Sequence, residues 1–397
     1  MNYLGFTEAS LDELSAIWTA KEICQQPQSW LRAYEAYQTA RPVVDEFLER
    51  LLRKPDLRII LTGAGTSAFA GGCLAPLMTS TLQRRAESVS TTDIVSNPMS
   101  YLEAGTPTLM VSFARSGNSP ESVAAVRLAD QAVKECYHLV VTCNKEGSLF
   151  QYCQDSERAL AVLTPEETND KSFAMTSSFT SMMLMAALVF CPTEISFKDL
   201  EEVSHGTRDL ILDQEARLRA LAQQPFERVV FLGSGGFASL AQESALKLLE
   251  LTDGQVVAMH DSPLGFRHGP KTIINEHTLV FVFLSSNPYT RQYDLDLLAE
   301  LRRDGEAGKV IALSADNGQL CEEDIGIGYA SSLSDFLLHF PYIVCAQMFA
   351  FYKALALLNK PDSPSSGGTV NRVVQGVTIY PMYEKRKPAL QEGGECI

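Results

Sequence analysis

Three serines, an asparagine and an arginine crowd into the ten residues from Phe113 to Ser122, FARSGNSPES, directly after the apolar run TLMVSF. Pro120 is a favoured first residue of a helix, with Glu121 close behind, and Ser116, Asn118 or Ser119 can cap that helix from in front. A helix N-terminus leaves free N–H groups at the positive end of its dipole. With two or three hydroxyls and the fixed charge of Arg115 added, the loop is a cradle for a phosphate monoester. An isolated S-G-N-S is more often an ordinary capped helix. The balance shifts because a second donor-rich loop, TGAGTSAF from Thr62 to Phe69, carries Gly65, Thr66 and Ser67 to the same expected sheet end.

Other chemistry-bearing residues are sparser. Glu243 stands in ASLAQESALKLLELTDG, a helix otherwise built for packing, and His260 and His268 stand in HDSPLGFRHGPKTII. One glutamate on a helix is normally solvated, and one histidine before Gly-Pro is normally a turn residue. The loops ending at Ala68 and Ala238 fit G-x-G-x-x-A, but that pattern alone is weak. Asp253, about twenty residues further on, follows a helix rather than a strand, so a nicotinamide site is poorly supported. No H-E-x-x-H or Cys/His cluster argues for a metal, and no G-x-S-x-G or Walker A motif occurs. Neither a metal nor an organic cofactor is expected.

The elements that must position these residues come in two copies. LRIILTGAGTSAFA from Leu57 resembles ERVVFLGSGGFASLA from Glu227, pairing Gly63 with Gly233 and Gly65 with Gly235 at an offset of 170 (233 − 63). TLMVSF and TLVFVF repeat at the same offset, and HLVVTCNKEGSL and KVIALSADNGQL at 171 (309 − 138). Apolar strands alternate with helical stretches such as PESVAAVRLADQAV and RQYDLDLLAELRR, which predicts parallel sheets with crossover helices. The expected architecture is α/β: two tandem doubly wound, flavodoxin-like or Rossmann-like parallel-sheet units behind N-terminal helices. The divisions are a helical segment at 1–47, punctuated by Pro27 and Pro42, units at 48–200 and 218–366, and a loop and charged tail at 367–397. Glu194 to Gln224 reads as a helical link, and the tail EKRKPALQEGGEC as mobile.

Composition limits the partners. The chain has 397 residues, 46% of them hydrophobic, and a net charge of −15. That field repels polyanions, so neither nucleic acid nor an anionic membrane surface is an expected partner. An anionic small molecule needs a local pocket of donors. Nine cysteines without C-x-x-C pairs, and an acidic N-terminus unlike a signal peptide, point to a cytoplasmic protein with reduced thiols. FLLHFPYIVCAQMFAFYKALALL, Phe336 to Leu358, is apolar enough to raise a membrane helix. His339, Pro341, Gln347 and Lys353 make a buried core helix the better reading.

GAGTS, RSGNS, ESALKLLE and RHGP, in this order within duplicated α/β units, resemble the SIS (sugar isomerase) phosphosugar-binding family over roughly Leu52 to Ile379. NDKSFAMTSSFTSMM, TRQYDLDLLAELRRD and GTVNRVVQGV are similar to the galactosamine-6-phosphate deaminase/isomerase branch, also described as tagatose-6-phosphate ketose/aldose isomerase. The resemblance implies a phosphate loop at Arg115, Ser116, Gly117, Asn118 and Ser119, sugar contacts from Thr66, Ser67 and Thr176, and C1–C2 proton transfer by Glu243. It implies ring opening by His268, supplied across a homodimer or higher homo-oligomer interface. A Schiff-base lysine of the amide-transferring relative, glucosamine-6-phosphate synthase, corresponds here to Gln375, so an imine at that position is ruled out.

The chemistry so implied is conversion of a 2-amino-2-deoxyhexose 6-phosphate, D-galactosamine 6-phosphate before others, to D-tagatose 6-phosphate and ammonia. A rival within enzymes is simple aldose–ketose isomerisation of a hexose phosphate, which releases no ammonia. A rival from another class is a non-catalytic phosphosugar sensor; against it stand the retained Glu243 and His268 and the lack of a basic recognition helix in the first fifty residues.

Overall fold

The computed structural model describes residues 2–382 apart from 317, 319, 330–332, 366, 369 and 375. Gln375 and the charged stretch EKRKPALQEGGEC therefore lie outside the described residues. After a small antiparallel pair, Asn2–Tyr3 with Phe6–Thr7, and a short helix, the chain forms a long helix α1, Ile17–Leu52. The first unit follows as β1 (Arg58–Thr62), α2 (Thr66–Leu82), β2 (Ala86–Ser88), β3 (Thr108–Ala114), α3 (Pro120–Ala132), β4 (Cys136–Thr142) and β5 (Ala159–Leu163). Helices α4 (Ser177–Phe190) and α5 (Phe197–Ala222) lead to the second unit. That unit is β6 (Arg228–Gly233), α6 (Gly236–Leu251), β7 (Val257–Asp261), β8 (Thr278–Phe283), α7 (Pro288–Asp304), β9 (Lys309–Ser314) and β10 (Ile325–Gly326), closed by α8 (Asp335–Ala356).

Each unit holds one five-stranded parallel sheet, ordered β2-β1-β3-β4-β5 in the first and β7-β6-β8-β9-β10 in the second. The two orders are the same, the flavodoxin-like arrangement whose ligands bind beyond the strands' carboxyl ends. The register repeats as well: Ile59 pairs with Leu109, and Val229 with Leu279, an offset of 170 (229 − 59). At the next ladder Leu109 pairs with Tyr137 and Leu279 with Lys309, an offset of 172 (309 − 137) rather than the 171 read from residue similarity. The α7–β9 side of the second unit is thus two residues longer than its counterpart.

Strands β3, β4 and β8 are buried along their whole length, as uninterrupted apolar runs should be when helices cover both faces. One face of each sheet, Leu61, Val111 and Phe113 in the first and Phe231, Phe281 and Phe283 in the second, joins a single core with α1, α2, α4, α6 and α8. The outer faces are closed separately. Ile60 and Met110 lie against Ala125 and Leu128 of α3, and Val230 and Val280 against Leu297 and Leu301 of α7.

Two local expectations resolve differently. Pro27 and Pro42, read as punctuation, lie inside α1. Proline removes the hydrogen bond to the residue four back, and the Ile23 carbonyl freed by Pro27 is taken instead by Gln26 Nε2 at 3.2 Å. The apolar stretch after Phe336 forms a buried helix, as expected; its polar residues each make a hydrogen bond, while His339 Nε2 and Gln347 Nε2 are buried without a partner. Gln347 accepts from Gln26 at 2.6 Å, Lys353 reaches the Gln224 carbonyl at 2.8 Å, and His339 Nδ1 lies 2.8 Å from the Asp335 carbonyl. Among the described residues no helix is long and apolar enough to cross a membrane.

Candidate active site

At the carboxyl end of β1 the chain turns through Gly65 and enters α2 with Thr66 and Ser67 in its first turn. Gly65 has φ +55° and ψ −127°, and Gly235 before α6 has φ +59° and ψ −127°. Side chains rarely tolerate this region, so glycine is required at both turns. At the end of β3, Ser119 caps α3: its Oγ accepts from Ser122 N at 3.4 Å and donates to Ser122 Oγ at 2.7 Å, and Pro120 is the first helical residue. Ser116 Oγ accepts from Asn118 N at 3.2 Å. These two loops enclose a cavity of about 110 Å³ lined by Ser67, Arg115, Ser116, Ser119 and Ser122, with Met175 and Arg372–Val374 on its other side.

Asn118 and Thr176, both expected to bind substrate, do not line that cavity. Asn118 Oδ1 accepts from Ser148 N and Oγ, both at 2.9 Å, so its side chain ties the loop to the helix Ser148–Gln154. Thr176 immediately precedes α4, its N–H donating to Asp170 at 2.8 Å; its hydroxyl is buried without a partner and does not line the cavity. Arg115 is buried, and its Nη1 and Nη2 donate to the carbonyls of Phe173 (3.2 Å) and Arg372 (2.8 Å). Besides lining the cavity, it therefore ties together two of the cavity's walls.

The wall carrying Met175 is built on buried carboxylates. Asp170 accepts from Thr176 N, Ser178 N and Ser178 Oγ at 2.8, 2.8 and 2.6 Å. Glu22 of α1 accepts from the Ser172 N–H at 3.2 Å and from the Ser172 hydroxyl. Burial, then the nearby Asp170 charge, pushes the Glu22 carboxyl up to about 8.

The second unit reaches the same place through α6, which packs on α2. Glu243 is fully buried; its Oε1 accepts from Thr66 Oγ1 at 3.3 Å and lies 3.4 Å from Lys247 Nζ. Lys247, also fully buried, donates to Thr66 Oγ1 at 3.0 Å and pairs with Glu250, whose side chain keeps 24% exposure. Burial pushes the Glu243 carboxyl up to about 8 against the opposing pull of Lys247. The two carboxylates raise the Lys247 ammonium despite its burial. Lys247 is thus held as an ammonium between two acids, and Glu243 keeps its proton more tightly than an ordinary carboxyl does. Glu243 Oε2 has no partner.

Lys247 and Glu250 were not among the residues singled out as catalytic or substrate-binding, and the chain offered Arg372 only as one candidate donor to the sugar's C4 hydroxyl, beside Asn371 and His260. The signal for the first two was present in ESALKLLE: steps of four and three residues put all three charges on one face of a helix. His268 is not brought to this cluster. It is exposed after the short helix Pro263–Phe266, its N–H bonded to the Gly265 carbonyl, and it does not line the cavity.

The second unit's own cradle is filled from within. Ser285 and Ser286 stand where the first unit has Arg115 and Ser116 (285 − 115 and 286 − 116 both give 170), and both bond to Asp335. Ser286 N donates to the same carboxylate at 2.6 Å, and Ser285 N to the buried Asp294 at 3.0 Å. Thr66 and Ser67 are replaced by Gly236 and Phe237. The cavity that remains at this end of the second unit is lined instead by Ser234, Ser262, Leu264, Tyr289, Thr290 and Tyr293, with no arginine among them.

Comparison with known proteins adds a family to this geometry. The model of the SIS domain matches residues 51–191 and 221–357. A protein of Escherichia coli named D-galactosamine-6-phosphate deaminase AgaS is 49% identical over 367 residues, covering 92% of this chain and 96% of its own length. One of the same name from Shewanella sp. (strain ANA-3) is 48% identical, covering 94% of each. Among solved structures, tagatose-6-phosphate ketose/aldose isomerase from Escherichia coli superposes with a TM-score of 0.88 at 45% identity, over 96% of this chain and 99% of that one.

Proposed function

Since this chain belongs to the SIS domain family, we propose that it is an enzyme that converts a 2-amino-2-deoxyhexose 6-phosphate, D-galactosamine 6-phosphate in particular, and water to D-tagatose 6-phosphate and ammonia. One observation carries the reading. Thr66, the neighbour of the cavity-lining Ser67, bonds to both Glu243 and Lys247, so the serine-lined cavity of the first unit adjoins the Glu243–Lys247–Glu250 face of the second. The names of close relatives supply the sugar.

In this mechanism the phosphate rests on Ser67, Ser116, Ser119 and the N-terminus of α3, and its binding energy fixes the distant reacting carbons. The opened sugar presents C2, whose proton is acidified by the C1 carbonyl. A carboxylate removes that proton and returns one to C1, turning the enolamine into a C2 imine. Water adds to the imine carbon and ammonia leaves, giving the ketose. The family resemblance gives proton transfer to Glu243, but Glu243 is sealed behind Thr66 and Lys247. Glu250 keeps an exposed edge beside the same lysine. We assign the base to Glu250 and assign Glu243 to holding Lys247 in place. Lys247, kept as an ammonium, is a hydrogen-bond donor to developing oxygen charge, not an amine nucleophile. His268, exposed and away from its own chain's cluster, fits ring opening in a neighbouring subunit, so the assembly is proposed as a homodimer or larger, in the cytoplasm.

The test is ammonia release from galactosamine 6-phosphate by the purified protein, with glucosamine 6-phosphate alongside to set the C4 preference. Ammonia from neither sugar overturns the reading. A second reading, tagatose 6-phosphate isomerisation without ammonia, is favoured by the name of the solved relative; it would show as aldose–ketose interconversion in the same samples.

A further inference from the structure

Arg372 approaches the cradle from the segment after α8, and with Val373 and Val374 it lines the cavity opposite Ser116 and Ser119. Its guanidinium donates to the Asp170 carbonyl, while its own carbonyl accepts Arg115 Nη2 at 2.8 Å. Arg115 Nη1 also reaches the carbonyls of Ser172 and Phe173. All these bonds end on backbone carbonyls. Among the described residues neither arginine enters an ion pair.

Two cations thus flank one small cavity with no carboxylate between them, in a chain of net charge −15. They sense each other: burial first, and then the neighbouring Arg372 charge, holds the Arg115 guanidinium below its ordinary value. Asp170 and Glu250 offset part of this repulsion from a distance, but neither pairs with an arginine, and an anion bridging the two like charges would stabilise them further. Arg115 Nε is not used in its carbonyl bonds, and Arg372 is exposed and free to turn a second donor inward.

We propose that Arg372 is a phosphate-binding and positioning residue, which with Arg115 clamps the phosphate dianion of the substrate and so fastens residues 370–374 as a wall of the active site. The inference rests on the sugar-phosphate reading for the identity of the ligand, but not on deamination. It makes the phosphate a structural part of the closed site as well as a handle. An unphosphorylated amino sugar then meets a site whose C-terminal wall is unfastened, and free inorganic phosphate should partly restore that wall.

The experiment uses the full chain and inorganic phosphate, against chloride at equal ionic strength. Trypsin can cut after Arg372, so cleavage of the Arg372–Val373 bond is followed with and without phosphate, and phosphate affinity is measured by calorimetry. Protection of that bond is expected in the wild type. Arg372→Ala should weaken phosphate about ten- to hundred-fold, the loss of a charge-assisted bond, and Arg372→Lys should recover part of it. In turnover, Arg372→Ala should raise KM for the sugar phosphate while leaving the rate on unphosphorylated amino sugar insensitive to added phosphate. Equal cleavage with and without phosphate, or phosphate binding to Arg372→Ala as tight as to wild type, overturns the proposal. Should the variant misfold, the wild-type protection assay alone decides. Protection without ammonia release would leave the clamp standing and sink only the deaminase reading.

Discussion

Glu243 and Glu250 lie on one face of α6, yet their surroundings divide them. Glu243 has no exposed surface and one carboxyl oxygen without a partner, whereas Glu250 holds Lys247 with part of its side chain open. A group that exchanges a proton with substrate carbon must reach it, so Glu250→Gln is expected to lower kcat about 10²- to 10⁴-fold, with KM changed only a few-fold. Glu243→Gln should cost less in kcat. Steady-state kinetics of the two variants side by side decide the matter, and the opposite ranking would return proton transfer to Glu243.

At the scale of elements, the site depends on how closely α2 and α6 approach. A Cβ on Gly72 would stand 2.2 Å from Ser239 Oγ, and one on Gly236 would stand 2.9 Å from the Cys73 carbonyl. Ser239 Cβ, at 2.9 Å from the first, and the Cys73 carbonyl are both fixed by backbone and cannot turn aside. Gly236→Val is therefore expected to spread the helices and destabilise the protein by about 1–3 kcal/mol, read as a lower denaturant midpoint. Because Thr66 meets Glu243 and Lys247 across this contact, the same variant should lose activity at temperatures where it is still folded. Activity equal to wild type there would show that the site tolerates the spreading.

Across the whole molecule, two buried carboxyls, Glu22 under the first unit's loop and Glu243 between the units, are both pushed to about 8 from an ordinary 4.5. Each binds its proton more tightly when folded than when unfolded. Their contribution is therefore complete below about pH 4.5 and is lost as pH rises through 8. Each can lower stability by up to about 1.4 kcal/mol per pH unit within that window. Denaturant unfolding at pH 5.5 and 7.5 should show wild type losing more stability over the interval than Glu243→Gln. Equal losses in the two proteins would mean that Glu243 is ionised in the fold. The shared core of both sheets makes one cooperative transition the expected form of these curves.

The order of strands and helices, the duplication and the anion cradle follow from local patterns in the chain. An apolar run ending in Gly-x-Gly, or in R-S-G-N-S-P, dictates strand, turn and capped helix within a dozen residues, and repetition at 170 shows the unit twice. Pro27 and Pro42 mark where local signals stop, for their place inside α1 depends on partners and packing remote in sequence. The candidate active-site cluster lies beyond local signals for the same reason. Thr66 and Lys247 are 181 residues apart, and Arg115 and Arg372 are 257 apart. The second unit's cradle is closed by Asp335, which is 50 residues from Ser285. Charge alone could not tell a solvated glutamate from a buried one, because burial is a property of neighbours. Local pattern was enough for the two sheets and for the donors at their ends. Which carboxylates are buried, and which serines Asp335 occupies, came only with the fold, because those outcomes depend on contacts between residues far apart in the chain.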